Sequence, residues 1–307
     1  MTSTVEILEV GPRDGLQNEK VVFSTADKLK MINGAIEAGV RRLEVASFVH
    51  PKRVPQMADA EDVIAGLEDR KDVTYIGLVL NKRGLLRALA TREGGKRGVD
   101  EAGCVAIASD TFADKNQGQT SVESVEITKD MIKLAKSEGM SAQATISASF
   151  GCPFEGRVDP ARVIAMAEDI AEAGPREIAI ADTIGVGSPK RVTEIVSAIR
   201  ERVPDMPLRA HFHNTRNTGL ANAWAAYEAG VTTLDASVAG LGGCPFAPKA
   251  TGNIGTEDLL YLLEESDVQT GVDLNQMISL ANWVEGVLGR TPPAMVSQAG
   301  GFPVAAS

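Results

Sequence analysis

Glu37-Ala38-Gly39-Val40-Arg41-Arg42-Leu43-Glu44-Val45-Ala46-Ser47 reads as a helix end, a glycine turn and a short apolar strand in immediate succession. The unit returns as Glu172-Ala173-Gly174-Pro175-Arg176-Glu177-Ile178-Ala179-Ile180-Ala181-Asp182. It returns again as Glu228-Ala229-Gly230-Val231-Thr232-Thr233-Leu234-Asp235-Ala236-Ser237. Glycine just past a helix accepts the left-handed C′ conformation, so each unit predicts helix, stop, strand. Helix-to-strand units recurring along a chain specify alternating βα architecture and a parallel sheet.

Working outward from these units, strands are expected at Val5–Val10, Arg42–Ser47, Val73–Leu80, Gly103–Ser109, Ala142–Ser147, Glu177–Asp182, Leu208–His213 and Thr233–Val238. Helical patterns fall between them, as at Thr25–Ala38, Asp159–Ala173, Pro189–Val203 and Asn217–Ala229. That alternation fits a (β/α)8 TIM barrel over roughly residues 4–265, with an additional C-terminal helix and tail over 273–307, all in a single domain. A doubly wound open sheet is the alternative, but no GxGxxG turn follows the first strand.

The bulk properties narrow the function. Lys and Arg number 31 against 41 Asp and Glu, a net charge of -10, so no nucleic-acid or anionic-membrane partner is expected. A local basic pocket for a cofactor's phosphates remains compatible with that balance. The three cysteines, Cys104, Cys152 and Cys244, form no CxxC pair and suggest reduced thiols in a cytoplasmic protein. Neither a signal peptide nor a bilayer-length apolar run is read.

Barrel chemistry gathers where strands end at their C-terminal side. His211-Phe212-His213 closes the seventh strand, and a period of two puts both imidazoles on one face. Two readings stand: a shared cation, or two histidines hydrogen-bonded in a polar interior. Arg13-Asp14 follows the first strand within Gly11-Pro12-Arg13-Asp14-Gly15. It is either a turn ion pair, or a metal carboxylate beside a guanidinium that steadies developing anionic charge. Asn253 lies beyond the Gly240–Gly243 run. Asp14, His211, His213 and Asn253 together would supply two oxygens and two nitrogens, suited to Mg²⁺ or Mn²⁺. Cys244 is either a thiol on a mobile lid or a small buried residue in a glycine loop. Glu44 and Asp182, inward carboxylates, need a partner such as Arg13 or would orient a ligating histidine.

Three stretches carry a family resemblance: Val10-Gly11-Pro12-Arg13-Asp14-Gly15-Leu16-Gln17-Asn18-Glu19-Lys20, Ala181-Asp182-Thr183-Ile184-Gly185-Val186-Gly187, and Ser237-Val238-Ala239-Gly240-Leu241-Gly242-Gly243-Cys244-Pro245. Over nearly its whole length the chain resembles the 3-hydroxy-3-methylglutaryl-CoA lyases, of the metal-dependent barrel superfamily that includes isopropylmalate synthase. The resemblance implies a carbon–carbon lyase splitting a 3-hydroxyacyl-CoA into acetyl-CoA and, for the hydroxymethylglutaryl thioester, acetoacetate. It implies that Asp14, His211, His213 and Asn253 hold the metal, that Arg13 steadies the enolate and that Cys244 is the loop acid/base. Glu44 and Asp182 then support the site, and Gln17, Ser47, Asn116, Gln143, Thr145 and Arg216 are expected to contact substrate. A homo-oligomer, dimer or tetramer, is expected.

The chain departs from similar lyases at three places. Asn214-Thr215-Arg216-Asn217 stands for Asp-Thr-Tyr-Gly, Gln143 and Thr145 for an Arg and a Tyr, and Pro248-Lys249 for Gln-Gly. Arg216 is therefore either a replacement binder of the acyl carboxylate or an exposed helix-start arginine. Citramalyl-CoA is an alternative substrate. A condensing synthase and a non-enzymatic CoA-binding module are the rival functions. No extra synthase domain is expected after the barrel, and a binding module has no use for a metal set beside a thiol.

Overall fold

The computed structural model describes residues 4–243 and 252–303, and its eight long-paired strands close into a parallel barrel. They are β1 (Glu6–Glu9), β2 (Arg42–Ser47), β3 (Thr74–Val79), β4 (Glu101–Ile107), β5 (Ser141–Ser147), β6 (Ile178–Asp182), β7 (Leu208–Phe212) and β8 (Thr233–Ala236). Each pairs with its sequence neighbours, and β8 returns to β1 through Glu6–Thr233 to Glu9–Ala236. The expected (β/α)8 barrel is therefore the observed fold. Among the described residues no helix is long and apolar enough to cross a membrane.

The three repeat glycines do what the sequence demands. Gly39, Gly174 and Gly230 have φ of 112°, 64° and 101°. At Gly39 a Cβ would also meet the Gly271 carbonyl oxygen at 2.3 Å, so the turn excludes any side chain. Helix starts follow capping chemistry. Asn81 and Ser109 accept from the backbone N–H of Gly84 and Phe112, and Thr120 with Glu123 forms a capping box.

Strand boundaries shift where charge is buried. The fourth strand starts at Glu101, two residues before the expected Gly103, because the Glu101 carboxylate is fully buried against Arg42 and belongs to the barrel interior. Thr74–Val79 is one residue shorter at each end than Val73–Leu80. The strand expected to reach His213 stops at Phe212, and His213 instead makes an isolated bridge to Asn253. Thr233–Ala236 ends early because Val238–Gly240 turns sharply, with Ala239 at φ 63°. The helix expected from Asn217 begins at Gly219.

Helix Leu274–Leu288 is the expected C-terminal addition. It packs on Thr25–Glu37 and on the Val238–Gly240 turn, and beyond it the Ala294 N–H donates to the Ala239 carbonyl at 3.3 Å. The C-terminal segment thus buttresses the root of the glycine loop. Residues 244–251 lie outside the described residues, and the expectations for Cys244, Pro248 and Lys249 fall there.

Candidate active site

A cavity of about 1000 Å³ opens at the C-terminal ends of the strands, where barrel chemistry is expected. The Gly11–Gly15 turn after β1 lifts Arg13 and Asp14 into it, and Pro12 starts that turn at no hydrogen-bond cost. Two strands round the barrel, the end of β7 delivers His211 and the residue just past it, His213, with ring centroids 5.2 Å apart. Asp14 Oδ2 lies 3.9 Å from Nε2 of each imidazole, and the three side chains offer donor atoms within 4.8 Å of one another. Four side chains expected to converge do so, because Asn253 Nδ2 donates to Asp14 Oδ2 at 2.8 Å.

Several buried atoms here lack a hydrogen-bond partner, among them His213 Nδ1, Asn253 Oδ1 and Asp235 Oδ1. Buried polar atoms rarely go unpaired, so orphans clustered beside a carboxylate and two imidazoles mark a place built for a further partner. One carboxylate, two imidazoles and an amide oxygen are hard and borderline donors without thiolate, and they fit a divalent cation.

Electrostatics favour the same use. Burial opposes the charge of Asp14, but Arg13 and the two imidazoles outweigh it and hold the carboxyl well below the usual range. Burial and the neighbouring His211 push His213 down to about 4, leaving it neutral with a free lone pair. His211 is opposite in sense. Burial pulls it down, yet the hydrogen bond and charge of Asp235 carry it above its ordinary value.

Arg13 is clamped. Its Nε donates to Glu44 Oε2 at 2.7 Å and its NH1 to Asp14 Oδ1 at 2.6 Å. Glu44 comes from β2 beside a register shift between Glu44 and Ala46 in the pairing with β3, an irregularity of the kind that re-aims side chains near sites. Burial raises the Glu44 pKa and Arg13 works against that rise.

The remaining expected residues divide. Gln17, Asn116 and Thr145 line the cavity. Gln143 does not: it sits two residues below Thr145, about 7 Å deeper, where its Oε1 accepts from Arg42 at 2.9 Å. Ser47 is fully buried and off the cavity lining, with its hydroxyl unpaired. Asp182 is not the partner of Arg13. Its carboxylate accepts from the Val186 and Gly187 N–H groups at 2.9 and 2.7 Å and so shapes the loop after β6. Arg216 is off the cavity lining, donating to the Ile184 and Gly185 carbonyls at 3.0 and 2.9 Å.

Sequence reasoning missed Asp235. Its Oδ2 lies 3.0 Å from His211 Nδ1, the orienting role expected of Glu44 or Asp182. The only signal was an acid inside the apolar run Thr233–Ala236, in phase with the inward face. Ser147 and Thr183 also line the cavity, with hydroxyl oxygens 2.9 Å apart.

Fold and cluster together define a barrel enzyme whose mouth carries a candidate divalent-metal site. The chain belongs to the HMGL-like family, whose model matches residues 4–284. It is 42% identical over 290 residues to the hydroxymethylglutaryl-CoA lyase YngG of Bacillus subtilis (strain 168), covering 94% of this chain and 95% of that one. It is 40% identical to the (R)-citramalyl-CoA lyase of Chloroflexus aurantiacus, covering 96% and 95%. A solved HMG-CoA lyase from Acinetobacter baumannii, in complex with coenzyme A and 3-methylmalate, superposes with a TM-score of 0.91 at 36% identity, covering 99% of both chains. The family and the relatives make this chain a carbon–carbon lyase.

Proposed function

We propose that the chain cleaves 3-hydroxy-3-methylglutaryl-CoA into acetyl-CoA and acetoacetate. The observation that carries this reading is the convergence of Asp14, His211 and His213 beside the clamped Arg13 in one large cavity. The cavity also has the shape of the problem. The hydroxyls of Thr145, Ser147 and Thr183 line it, and so do Arg53, Arg83 and Lys115, cations suited to the phosphates of coenzyme A.

In the reaction a base takes the 3-hydroxyl proton, the oxygen's electron pair forms the C3 carbonyl of acetoacetate, and the breaking C2–C3 bond leaves its pair as the thioester enolate of acetyl-CoA. C2 then takes a proton. Asp14, His211, His213 and Asn253 would hold Mg²⁺ or Mn²⁺, which when bound supplies Lewis-acid polarisation and makes the 3-hydroxyl easier to deprotonate. Arg13 is placed to offer a permanent cation to the enolate oxygen, an interaction stronger in the transition state than in the ground state. Glu44 and Asp14 hold that guanidinium in place before substrate arrives. Cys244, carried beyond the glycine run, is the proposed donor of the proton to C2. Its delivery would depend on a firm loop root: Gly243 O accepts from Asn18 Nδ2 at 2.9 Å, and the Ala239 N–H donates to the Glu257 carboxylate at 3.1 Å.

A second reading, citramalyl-CoA as substrate, is favoured by the similarity to the C. aurantiacus enzyme and by Thr145 at the acyl floor. Both thioesters release acetyl-CoA, and they differ by one methylene between carbinol and carboxylate. Supplying each to the purified protein with Mg²⁺ and measuring acetyl-CoA, acetoacetate and pyruvate decides between them. Acetoacetate production supports the first reading. Absence of acetyl-CoA from both, at saturating Mg²⁺ and Mn²⁺, would overturn the lyase assignment.

A further inference from the structure

The interior of a (β/α)8 barrel is normally filled by layers of branched apolar side chains. Here a ladder of alternating charge climbs through it toward the cavity. At the bottom Arg42 NH2 meets Glu101, and Arg42 NH1 lies 2.7 Å from Glu177 Oε1. The same Glu177 oxygen lies 2.9 Å from Arg209 Nε. Arg209 NH1 donates to Asp235 Oδ2, its NH2 donates to Thr145 Oγ1 at 2.8 Å, and Asp235 Oδ2 faces His211 Nδ1. Arg42, Glu101, Glu177, Arg209 and Asp235 are each 3% exposed or less.

Desolvating this many charges is expensive, and a chain of apolar side chains of equal volume would commonly cost less. A role tied to the top of the ladder accounts for the expense. Arg209 and His211 alternate along β7, with His213 just past its end, so Arg209 sits one pleat, roughly 7 Å, beneath His211 on the inward face. A carboxylate placed between a guanidinium and an imidazole accepts from both. Asp235 Oδ2 accepts from Arg209, so the hydrogen shared with His211 belongs to Nδ1. That leaves the lone pair on Nε2, the atom that faces Asp14 at 3.9 Å.

We propose that Arg209 is a positioning residue which, braced by Glu177 and Arg42 and acting through Asp235, holds His211 in the Nδ1–H tautomer with Nε2 turned to receive a divalent cation. The proposal rests on the reading of Asp14, His211 and His213 as cation ligands. It adds residues buried two layers below them, and it separates Arg209 from the acyl-binding side chains although Arg209 also lines the cavity floor. The fork geometry of the guanidinium is what matters, because one planar group must meet Glu177, Asp235 and Thr145 together. A lysine at 209 keeps the charge, but its single nitrogen cannot reproduce the planar fork that meets these three partners at once.

The test uses the full-length chain and Mn²⁺ alone, with no substrate. Nitrogen-15 imidazole correlations on metal-free protein, followed upward in pH until the signals stop moving and each ring is neutral, report the tautomer of each of the three histidines. His50→Gln and His213→Gln assign the signals. Titration with Mn²⁺ followed by electron paramagnetic resonance gives the affinity. The wild-type protein is expected to show His211 as Nδ1–H. Arg209→Lys is expected to mix its tautomers and weaken Mn²⁺ by roughly 10- to 100-fold, the usual effect of losing an outer-shell partner of a ligating histidine. If Arg209→Lys fails to fold, Glu177→Gln, which leaves Arg209 in place, is read in the same two ways. A folded variant with His211 still wholly Nδ1–H and Mn²⁺ affinity within about twofold of wild type overturns the proposal. Neither readout involves turnover, so a wrong substrate assignment leaves this test intact.

Discussion

Arg13 offers the sharpest separation of catalysis from stability. Its guanidinium spans two carboxylates, meeting Glu44 through Nε and NH2 and Asp14 through NH1. The side chains of Glu44 and Asp14 are only 6% and 15% exposed. In Arg13→Met these two acids face each other with no cation between them. Removing one member of a buried ion pair costs about 3–5 kcal/mol, and in a chain of this size each kcal/mol moves Tm by roughly 2 °C. A loss of roughly 6–10 °C is expected. In Arg13→Lys the charge survives, but a single ammonium cannot bridge both acids in the arginine's geometry. One or two charge-assisted bonds disappear, about 1.5–3 kcal/mol each before the lysine's own contacts offset part of it. Because the lysine keeps a cation between the two acids, stability should fall less than in Arg13→Met, while the placed donor to the enolate oxygen is gone. Loss of one such donor costs about 10²- to 10³-fold in kcat. Thermal unfolding together with steady-state acetyl-CoA release measures both quantities. An Arg13→Lys protein with kcat within about threefold of wild type would refute the idea that Arg13 serves the transition state.

Three further outcomes are expected. Cys244→Ala should lower turnover by roughly 10²- to 10⁴-fold and leave Mn²⁺ affinity unchanged; near-normal acetyl-CoA release would remove the thiol from the mechanism. Asp14→Asn, which replaces the anionic ligand by a neutral amide, should weaken Mn²⁺ at least about tenfold by isothermal titration; an unchanged affinity would place the cation elsewhere. Burial lifts the Glu257 carboxyl from its ordinary 4.5 to about 8, against the opposing backbone hydrogen bonds that it accepts. A carboxyl that holds its proton more tightly when folded contributes stability that is complete below its ordinary pKa and is lost as pH rises toward about 8. Glu257→Gln should therefore flatten the fall in unfolding free energy across that window. The fall should not vanish, because burial also raises Glu9 to about 7. An identical pH slope in variant and wild type would contradict this.

The barrel was legible because its punctuation is local. A glycine that must take positive φ and the short apolar run after it are both written within a few residues, and Gly39, Gly174 and Gly230 take that conformation. The mouth was legible for a similar reason: strand ends and the period of two locate Asp14, His211 and His213 without knowledge of distant partners. What stayed hidden depends on partners remote in sequence. Glu101 looks like a residue to exclude from a strand until Arg42 is seen to pair with it across 59 positions. Asp235 looks like a stray acid until β7 sets His211 beside it. Gln143 and Thr145 are two positions apart on one face, and only the depth of the cavity tells that Thr145 reaches it and Gln143 does not. Arg216 was undecidable from its neighbours, since the carbonyls of Ile184 and Gly185 that take up its guanidinium come from another loop.

The convergence at the barrel mouth is most directly tested by anomalous scattering from crystals of the full chain grown with Mn²⁺. One strong peak is expected among Asp14, His211 and His213, with the Asn253 amide oxygen turned toward it and ligand distances of about 2.0–2.3 Å. A catalytically active crystal form with Mn²⁺ bound anywhere else, and ordinary water between those side chains, would contradict the account.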